Sequence, residues 1–278
     1  MTTHCYCCPD PSIVSAPKSL PLETNPNQNE NSVPTFIEEK YLDLKQPERI
    51  LNLIEHFNND PEYVKTLATN FGGTTPFKVI NEVGMDILTN EIDYFSKYAL
   101  SSPRIPRVNR GLTFRSSFMN ELAHSQAILG HVSTLAGCEL IYHPMKIQQL
   151  HVNMNPLKGI DGDEKSANET IDKWHCDTTG FVLVLFCSDR DKYKGGNLQY
   201  FAGTHQEGLD YFNSQSDLTK QQDDNRIVSL GPGQKRGYGV LMQGSRVFHQ
   251  VTSVTSGTER NTVVFSFQPR DVLALEAC

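Results

Sequence analysis

The stretch KWHCDTTGFVLVLF, residues 173–186, sets a histidine and an aspartate at the mouth of an apolar run with the pattern of a buried strand. In an extended chain successive side chains point to opposite faces, so His175 and Asp177 project the same way and Cys176 the other. Such groups are costly to desolvate without partners. One imidazole and one carboxylate on one face is half of a metal site, and the other half must come from a later strand.

The sequence GSRVFHQVTSV offers His249, far enough downstream for several strands to intervene and return the chain beside the first pair. Two histidines and a carboxylate on one face of an octahedron leave three adjacent positions open, which suits a non-haem Fe(II) oxygenase. Zinc accepts the same set. Arg260, in SGTERNTVVFSF, falls one turn and one return strand beyond His249. A guanidinium inside a barrel is best met by a carboxylate taking two parallel hydrogen bonds. The segment that follows, NTVVFSF, carries no charge, so a dicarboxylate cosubstrate would fit, its keto-acid end on the metal and its distal carboxylate on Arg260. Oxygen would take the last position. Thr262, on the same strand face, could add a hydroxyl. Taken singly, each residue has a plainer account: His175 bonded to Asp177 in a core, or Arg260 paired at the surface with Glu259, Asp189 or Asp191. Four such residues in register favour the metal site.

Around this nucleus the strands are expected at 146–155, 180–188, 196–202, 227–231, 237–243, 246–254 and 261–269, punctuated by Gly, Asn, Pro and Asp. Many short strands with glycine-rich corners predict an α+β fold with a two-sheet antiparallel jelly roll. The segment from 36 to 138 is mostly helical, with amphipathic helices over PERILNLIEHFNN and FMNELAHSQAILGHVSTLAG packed outside the core. His56, His124 and His131 on this front read as surface or packing residues. Residues 1–34 are rich in Pro, Asn, Ser and Thr and read as a flexible tail, leaving 35–278 as a single domain: helical front 35–138, jelly-roll core 139–275. The HCYCC of the tail lacks zinc spacing, and the polar insertion 212–225 is surface or a lid.

Composition narrows the function. A net charge of −7 without a basic stripe argues against nucleic acid, and Lys235-Arg236 among glycines reads as an exposed turn. Seven cysteines without regular spacing, no signal peptide and no membrane-length apolar run make a reducing cytoplasmic setting the expectation. The sequon at 168–170 then has no meaning, and the terminal LEAC is no lipidation or peroxisomal signal. The expected partner is a small molecule, with the oligomeric state open and a homodimer through the helical front one option.

His175-x-Asp177, His249 and Arg260 together resemble the motif of the Fe(II)- and 2-oxoglutarate-dependent dioxygenases, whose core is a double-stranded β-helix, cupin-like in shape. GGNLQYFAGTHQEG, residues 195–208, is similar to the strand and turn of the phytanoyl-CoA hydroxylase-like branch, with Ala202 and Thr204 where Pro and Ser are usual. In that turn His205 is a rival ligand, and Gly203 is expected to supply a positive φ. A looser likeness, tied to no motif, is to fungal oxygenases tailoring amino acids or secondary metabolites. The resemblance implies Fe(II), 2-oxoglutarate and O2 as cofactors, with iron on His175, Asp177 and His249. It also implies conversion of 2-oxoglutarate to succinate and CO2 as an unactivated C–H bond is hydroxylated, desaturated or closed into a ring. Halogenases of the superfamily carry a small residue in place of the carboxylate, so Asp177 argues against halogenation. Arg260, Thr262 and Gln149 are the expected cosubstrate contacts. Gln149, His151 and Asn153 are read as one face of a barrel strand, an alternation that a solvent-facing exterior would explain equally well, and His151, Asn153, Arg246, Arg115 and Arg190 are the candidates for substrate. A zinc hydrolase with the same triad and a silent jelly-roll binding protein are the alternatives.

Overall fold

A computed structural model of the protein describes residues 35–102, 105–156, 172–214 and 225–271. The tail with its HCYCC, the sequon, the terminal LEAC and most of the 212–225 insertion lie outside the described residues. The helices are α1 Glu38–Tyr41, α2 Leu53–Phe57, α3 Pro61–Val64, α4 Glu82–Phe95, α5 Ser117–Ala123, α6 Gln126–Ala136, α7 Lys146–Gln149 and α8 His205–Ser214. The strands are β1 Ile50–Asn52, β2 Phe71–Thr74, β3 Phe77–Lys78, β4 Arg107–Arg110, β5 Leu140–Tyr142, β6 Leu150–Asn155, β7 Asp172–His175 and β8 Phe181–Phe186. They continue with β9 Tyr193–Gly195, β10 Leu198–Phe201, β11 Ile227–Ser229, β12 Tyr238–Met242, β13 His249–Val251, β14 Val254–Gly257 and β15 Arg260–Pro269.

Among the described residues, nine strands form one antiparallel sheet with the path β1-β2-β12-β8-β15-β6-β4, and four form a second with the order β11-β10-β13-β7. Strand alternation sorts the side chains of the large sheet onto two faces. Val263, Phe265 and Phe267 of β15, with Leu150, Val152 and Met154 of β6, pack against the helical layer through Leu88 and Ile92 of α4 and Phe118 of α5. The opposite face meets the small sheet: Val182, Phe186, Val240 and Met242 pack with Leu198 from β10. The outer face of the small sheet is covered in turn by α8, where Phe201, Phe248 and Tyr211 cluster with Trp174, Cys176 and Phe212. Trp174 stacks on Phe212 at 4.7 Å between ring centroids. The three-layer order, helices over sheet over sheet, is that of a jelly-roll core with helices outside. No helix of the described residues is long and apolar enough to cross a membrane.

Several local expectations are corrected. The front contributes strands as well as helices, because β1 to β4 extend the large sheet. PERILNLIEHFNN is not one helix: Ile50 and Leu51 pair with Thr74 and Gly73, and only Leu53–Phe57 is helical, ended by Asn58 in the left-handed region. Pairing at a sheet edge outweighs a short helical periodicity. The second predicted helix divides into α5 and α6, because the Ser125 hydroxyl accepts from Ile128 N and starts a new helix. The strand expected from 146 begins at Leu150, after one helical turn. Arg236 is no loose charge in an exposed turn: it pairs with Glu82 and Asp86 of α4, both at 2.8 Å. His124 and His131 cap or pack as read, binding the carbonyls of Asn120 and Lys45.

Candidate metal centre

Strand pairing brings the separated halves together. His249 of β13 stands opposite His175 of β7, their rings 4.2 Å apart. The Asp177 carboxylate lies between them, Oδ1 3.4 Å from His175 Nε2 and Oδ2 3.7 Å from His249 Nε2. One ligand atom from each of the three falls within 4.8 Å of the others. Adjacent ligands about 2.1 Å from a metal on an octahedron lie roughly 3 Å apart, so a small closure forms one face of a coordination sphere. The opposed orientation of Cys176 also holds, since it packs with Trp174 on the outer aromatic cluster.

Both imidazoles are set for this work by local backbone. His175 Nδ1 lies 2.6 Å from the Lys173 carbonyl, and His249 Nδ1 lies 2.8 Å from the Val247 carbonyl. A carbonyl only accepts, so each Nδ1 carries the proton and each Nε2 presents its lone pair to the shared gap. Asp177 is held by its backbone N–H, which donates to the Gly244 carbonyl at 2.8 Å. A Cβ at Gly244 would come within 2.4 Å of Asp177 Oδ2 and 3.0 Å of its Cβ, so the carboxylate needs a glycine beneath it. Gly244→Ala is therefore expected to weaken Fe(II) affinity by roughly tenfold or more through displacement of Asp177, in the range for supporting residues. Isothermal titration with the circular dichroism spectrum recorded alongside checks it, and unchanged Fe(II) affinity would refute the cradle.

Arg260 opens β15 on the face of the large sheet that looks toward the small one, and it is 2 % exposed. The surface pairings considered for it do not occur: Glu259 binds Arg107 at 2.9 Å and Asp189 binds Lys192 at 2.7 Å. Its stem passes over the corner of 195–196, where both glycines have positive φ and a Cβ at Gly196 would meet Arg260 Cδ at 2.6 Å. The glycine pair thus permits the close approach of an arginine. Register on β6 places Asn155 opposite Arg260, Asn153 opposite Thr262 and His151 opposite Val264. This half of the inner face is polar and buried, in contrast to the valines of β8 and β12. The side-chain oxygens of Asn153, Asn155 and Gln149 are buried without a hydrogen-bond partner, which leaves acceptors open to a polar ligand.

The other expected residues are distributed. Gln149 ends α7 instead of lying on the strand, with Nε2 donating to the His143 carbonyl. Arg115 stacks on Tyr98 of the helical layer at 3.9 Å, and Arg246 lies over Tyr63 at 5.5 Å. Arg190 donates to Tyr193 O and Asn197 Oδ1, both at 2.9 Å. His205 sits against Phe248 in the outer cluster and is not in the triad group, and burial lowers its pKa. Gly203 has no positive φ; it is small because a Cβ would meet the Phe201 ring at 2.6 Å. The turn owes its shape to a reciprocal cap, Thr204 N donating to Glu207 and Glu207 N to Thr204 Oγ1. Gln234, next to the Lys235-Arg236 pair and not singled out by the sequence, is wholly buried beside Arg260. Among the free thiols, Cys187 is pushed up to about 12 by burial.

The family model described as Halogenase D matches residues 109–277, more than half of the chain. Among solved structures, the chain is similar to SnoK, a non-heme alpha-ketoglutarate-dependent carbocyclase from nogalamycin biosynthesis, with a TM-score of 0.51, 14% identity and coverage of 82% of this chain and 88% of that one. It is also similar to SnoN, the non-heme alpha-ketoglutarate-dependent epimerase of the same biosynthesis, with a TM-score of 0.50, 13% identity and coverage of 76% and 84%. A third is HygX from Streptomyces hygroscopicus with iron bound, with a TM-score of 0.50, 12% identity and coverage of 77% and 88%. These likenesses show a common fold. No curated protein matches the sequence.

Proposed function

The chain belongs to the Halogenase D family, and from that premise we propose a non-haem Fe(II)- and 2-oxoglutarate-dependent oxygenase that oxidises an unactivated C–H bond of a small molecule. The observation that carries this reading is the complete triad of His175, Asp177 and His249, with both Nε2 lone pairs and a carboxylate converging on one gap. The family's name suggests halogenation; the carboxylate of Asp177 argues for oxygenation, because it fills the place that a halide would need. In this reading the facing sheets form a double-stranded β-helix, with SnoK and SnoN supporting a role in secondary metabolism.

Iron with 2-oxoglutarate supplies the oxidant, and the protein supplies placement. His175, Asp177 and His249 would hold the metal, which would then supply the Lewis-acid and redox chemistry. Arg260 offers a cationic fork to the distal carboxylate of 2-oxoglutarate, and Thr262, 2 % exposed on the same strand face, adds a hydroxyl. Desolvating the guanidinium costs several kcal/mol, which an anion in bidentate contact recovers best. His151 and Asn153, with Gln149 at the edge, line the remaining polar wall and orient a polar substrate such as an amino acid. Arg115, Arg190 and Arg246 are occupied with other elements. A zinc hydrolase would have no use for a cationic fork aimed at a keto-acid cosubstrate, and a silent binding protein would take up neither iron nor 2-oxoglutarate.

Anaerobic titration with Fe(II) and then 2-oxoglutarate tests the reading. The weak visible charge-transfer band of a keto acid chelated to ferrous iron is the expected result. Iron uptake with no band removes 2-oxoglutarate from the mechanism, and no uptake removes the metal centre.

A further inference from the structure

Arg260 is gripped at its head as well as its stem, and the residue at the head comes from the GPGQKRGYG turn. Gln234 follows a 3-10 turn, Gly231–Gly233, and is 0 % exposed. Its Oε1 accepts from the backbone N–H of Leu198 at 3.1 Å and from Arg260 Nη2 at 3.4 Å. Its Nε2 donates to the Gly231 carbonyl at 3.3 Å and to Asn197 Oδ1 at 3.5 Å. Two donors on one side and two acceptors on the other fix the amide orientation. Asn197 Oδ1 also accepts from Arg190 at 2.9 Å, so two arginines are joined through two amides across the β9–β10 corner.

We propose that Gln234 is a positioning residue for the cosubstrate, holding the Arg260 guanidinium in the orientation that receives the distal carboxylate of 2-oxoglutarate. This role rests on the function proposed above. The choice of a neutral amide is what the chemistry requires. A Glu at this position would satisfy Leu198 N–H equally well, but it would pair with Arg260 as an ion and compete with an incoming carboxylate. A Leu or Met would leave the buried N–H of Leu198 unmet. The amide oxygen takes one N–H of the fork and leaves its positive charge in place. Because Leu198 belongs to β10, which pairs with the His249 strand, Gln234 also ties the arginine of the large sheet to the sheet that carries the metal ligands.

The test compares wild type, Gln234→Glu and Gln234→Met, each loaded anaerobically with Fe(II). Binding of 2-oxoglutarate is measured against 2-oxobutyrate, which lacks the distal carboxylate, with Fe(II) affinity and thermal unfolding read alongside. For Gln234→Glu, 2-oxoglutarate affinity is expected to fall roughly tenfold or more while affinities for 2-oxobutyrate and Fe(II) stay within about twofold. Gln234→Met gives a smaller loss, again confined to 2-oxoglutarate, and decides the matter by the same ratio should Gln234→Glu not fold. Equal loss of both 2-oxo acids, or wild-type 2-oxoglutarate binding in the variants, overturns the role. A wild-type protein that takes up Fe(II) but no 2-oxoglutarate overturns the functional reading, and this role with it.

Discussion

Replacing Asp177 by Ala is expected to lower Fe(II) affinity by roughly 100-fold or more, equivalent to about 2.7 kcal/mol, and to remove the keto-acid charge-transfer band. The carboxylate is the anionic member of the triad, and it stands within 3.4 and 3.7 Å of the two Nε2 atoms. Without it two neutral imidazoles remain, set by their backbone carbonyls but unable to neutralise any of the metal's charge. The side chain is 19 % exposed and packs little apolar surface, so the fold is expected to change in stability by no more than about 1 kcal/mol. Calorimetric Fe(II) titration of a variant with unchanged circular dichroism separates lost ligation from lost structure. Wild-type Fe(II) affinity in Asp177→Ala would mean that the three side chains meet for structural reasons.

The meeting of His175, Asp177 and His249 was legible because it follows from sequence-local patterns with sharp geometric consequences. Two residues apart in an extended chain share one face, which pairs His175 with Asp177 in the sequence; in the fold β7 ends at His175, and the Asp177 N–H bonded to the Gly244 carbonyl keeps the two side chains together. His249 could be assigned because antiparallel sheets return the chain, and the pairing of β13 with β7 is what the spacing called for. What the sequence concealed are features set by tertiary contact. Ile50 and Leu51 have the periodicity of a helix but pair at the edge of the large sheet, and nothing within PERILNLIEHFNN signals the partner strand at Phe71–Thr74. Gly203 and Gly244 look like turn glycines, yet both are small because of what approaches them, the Phe201 ring and the Asp177 carboxylate. Gln234 gave no signal at all: a glutamine between glycines and two basic residues reads as surface until the fold buries it. The likeness of 195–208 to a phytanoyl-CoA hydroxylase strand and turn has a physical content independent of branch, since Gly195 and Gly196 make the corner over which Arg260 passes.

For Arg260→Ala the expected result is the complement of the Asp177 variant: Fe(II) binding is retained, and 2-oxoglutarate affinity falls roughly 30-fold or more, or at least about 2 kcal/mol. The two effects separate because Arg260 belongs to β15 in the large sheet, whereas the histidines pair across β7 and β13 in the small one. Truncating one member of a buried charge pair leaves the other desolvated, which makes the loss larger than that of a surface contact. Arg260→Lys keeps the charge but offers a point donor where a planar fork stood, so it recovers only part of the affinity. Because the group is 2 % exposed, the binding it supports should respond weakly to added salt, unlike a contact made at a solvent-exposed arginine. Removing the side chain also empties space beside Phe186, so a lower unfolding temperature is expected and does not count against the assignment. The deciding comparison is therefore between ligands and not between folds: Arg260→Ala should bind 2-oxobutyrate nearly as wild type does, since that 2-oxo acid never uses the guanidinium. Loss of both 2-oxo acids together would place Arg260 in the framework of the barrel, and 2-oxoglutarate binding at wild-type strength would send the search for its carboxylate partner to another cation.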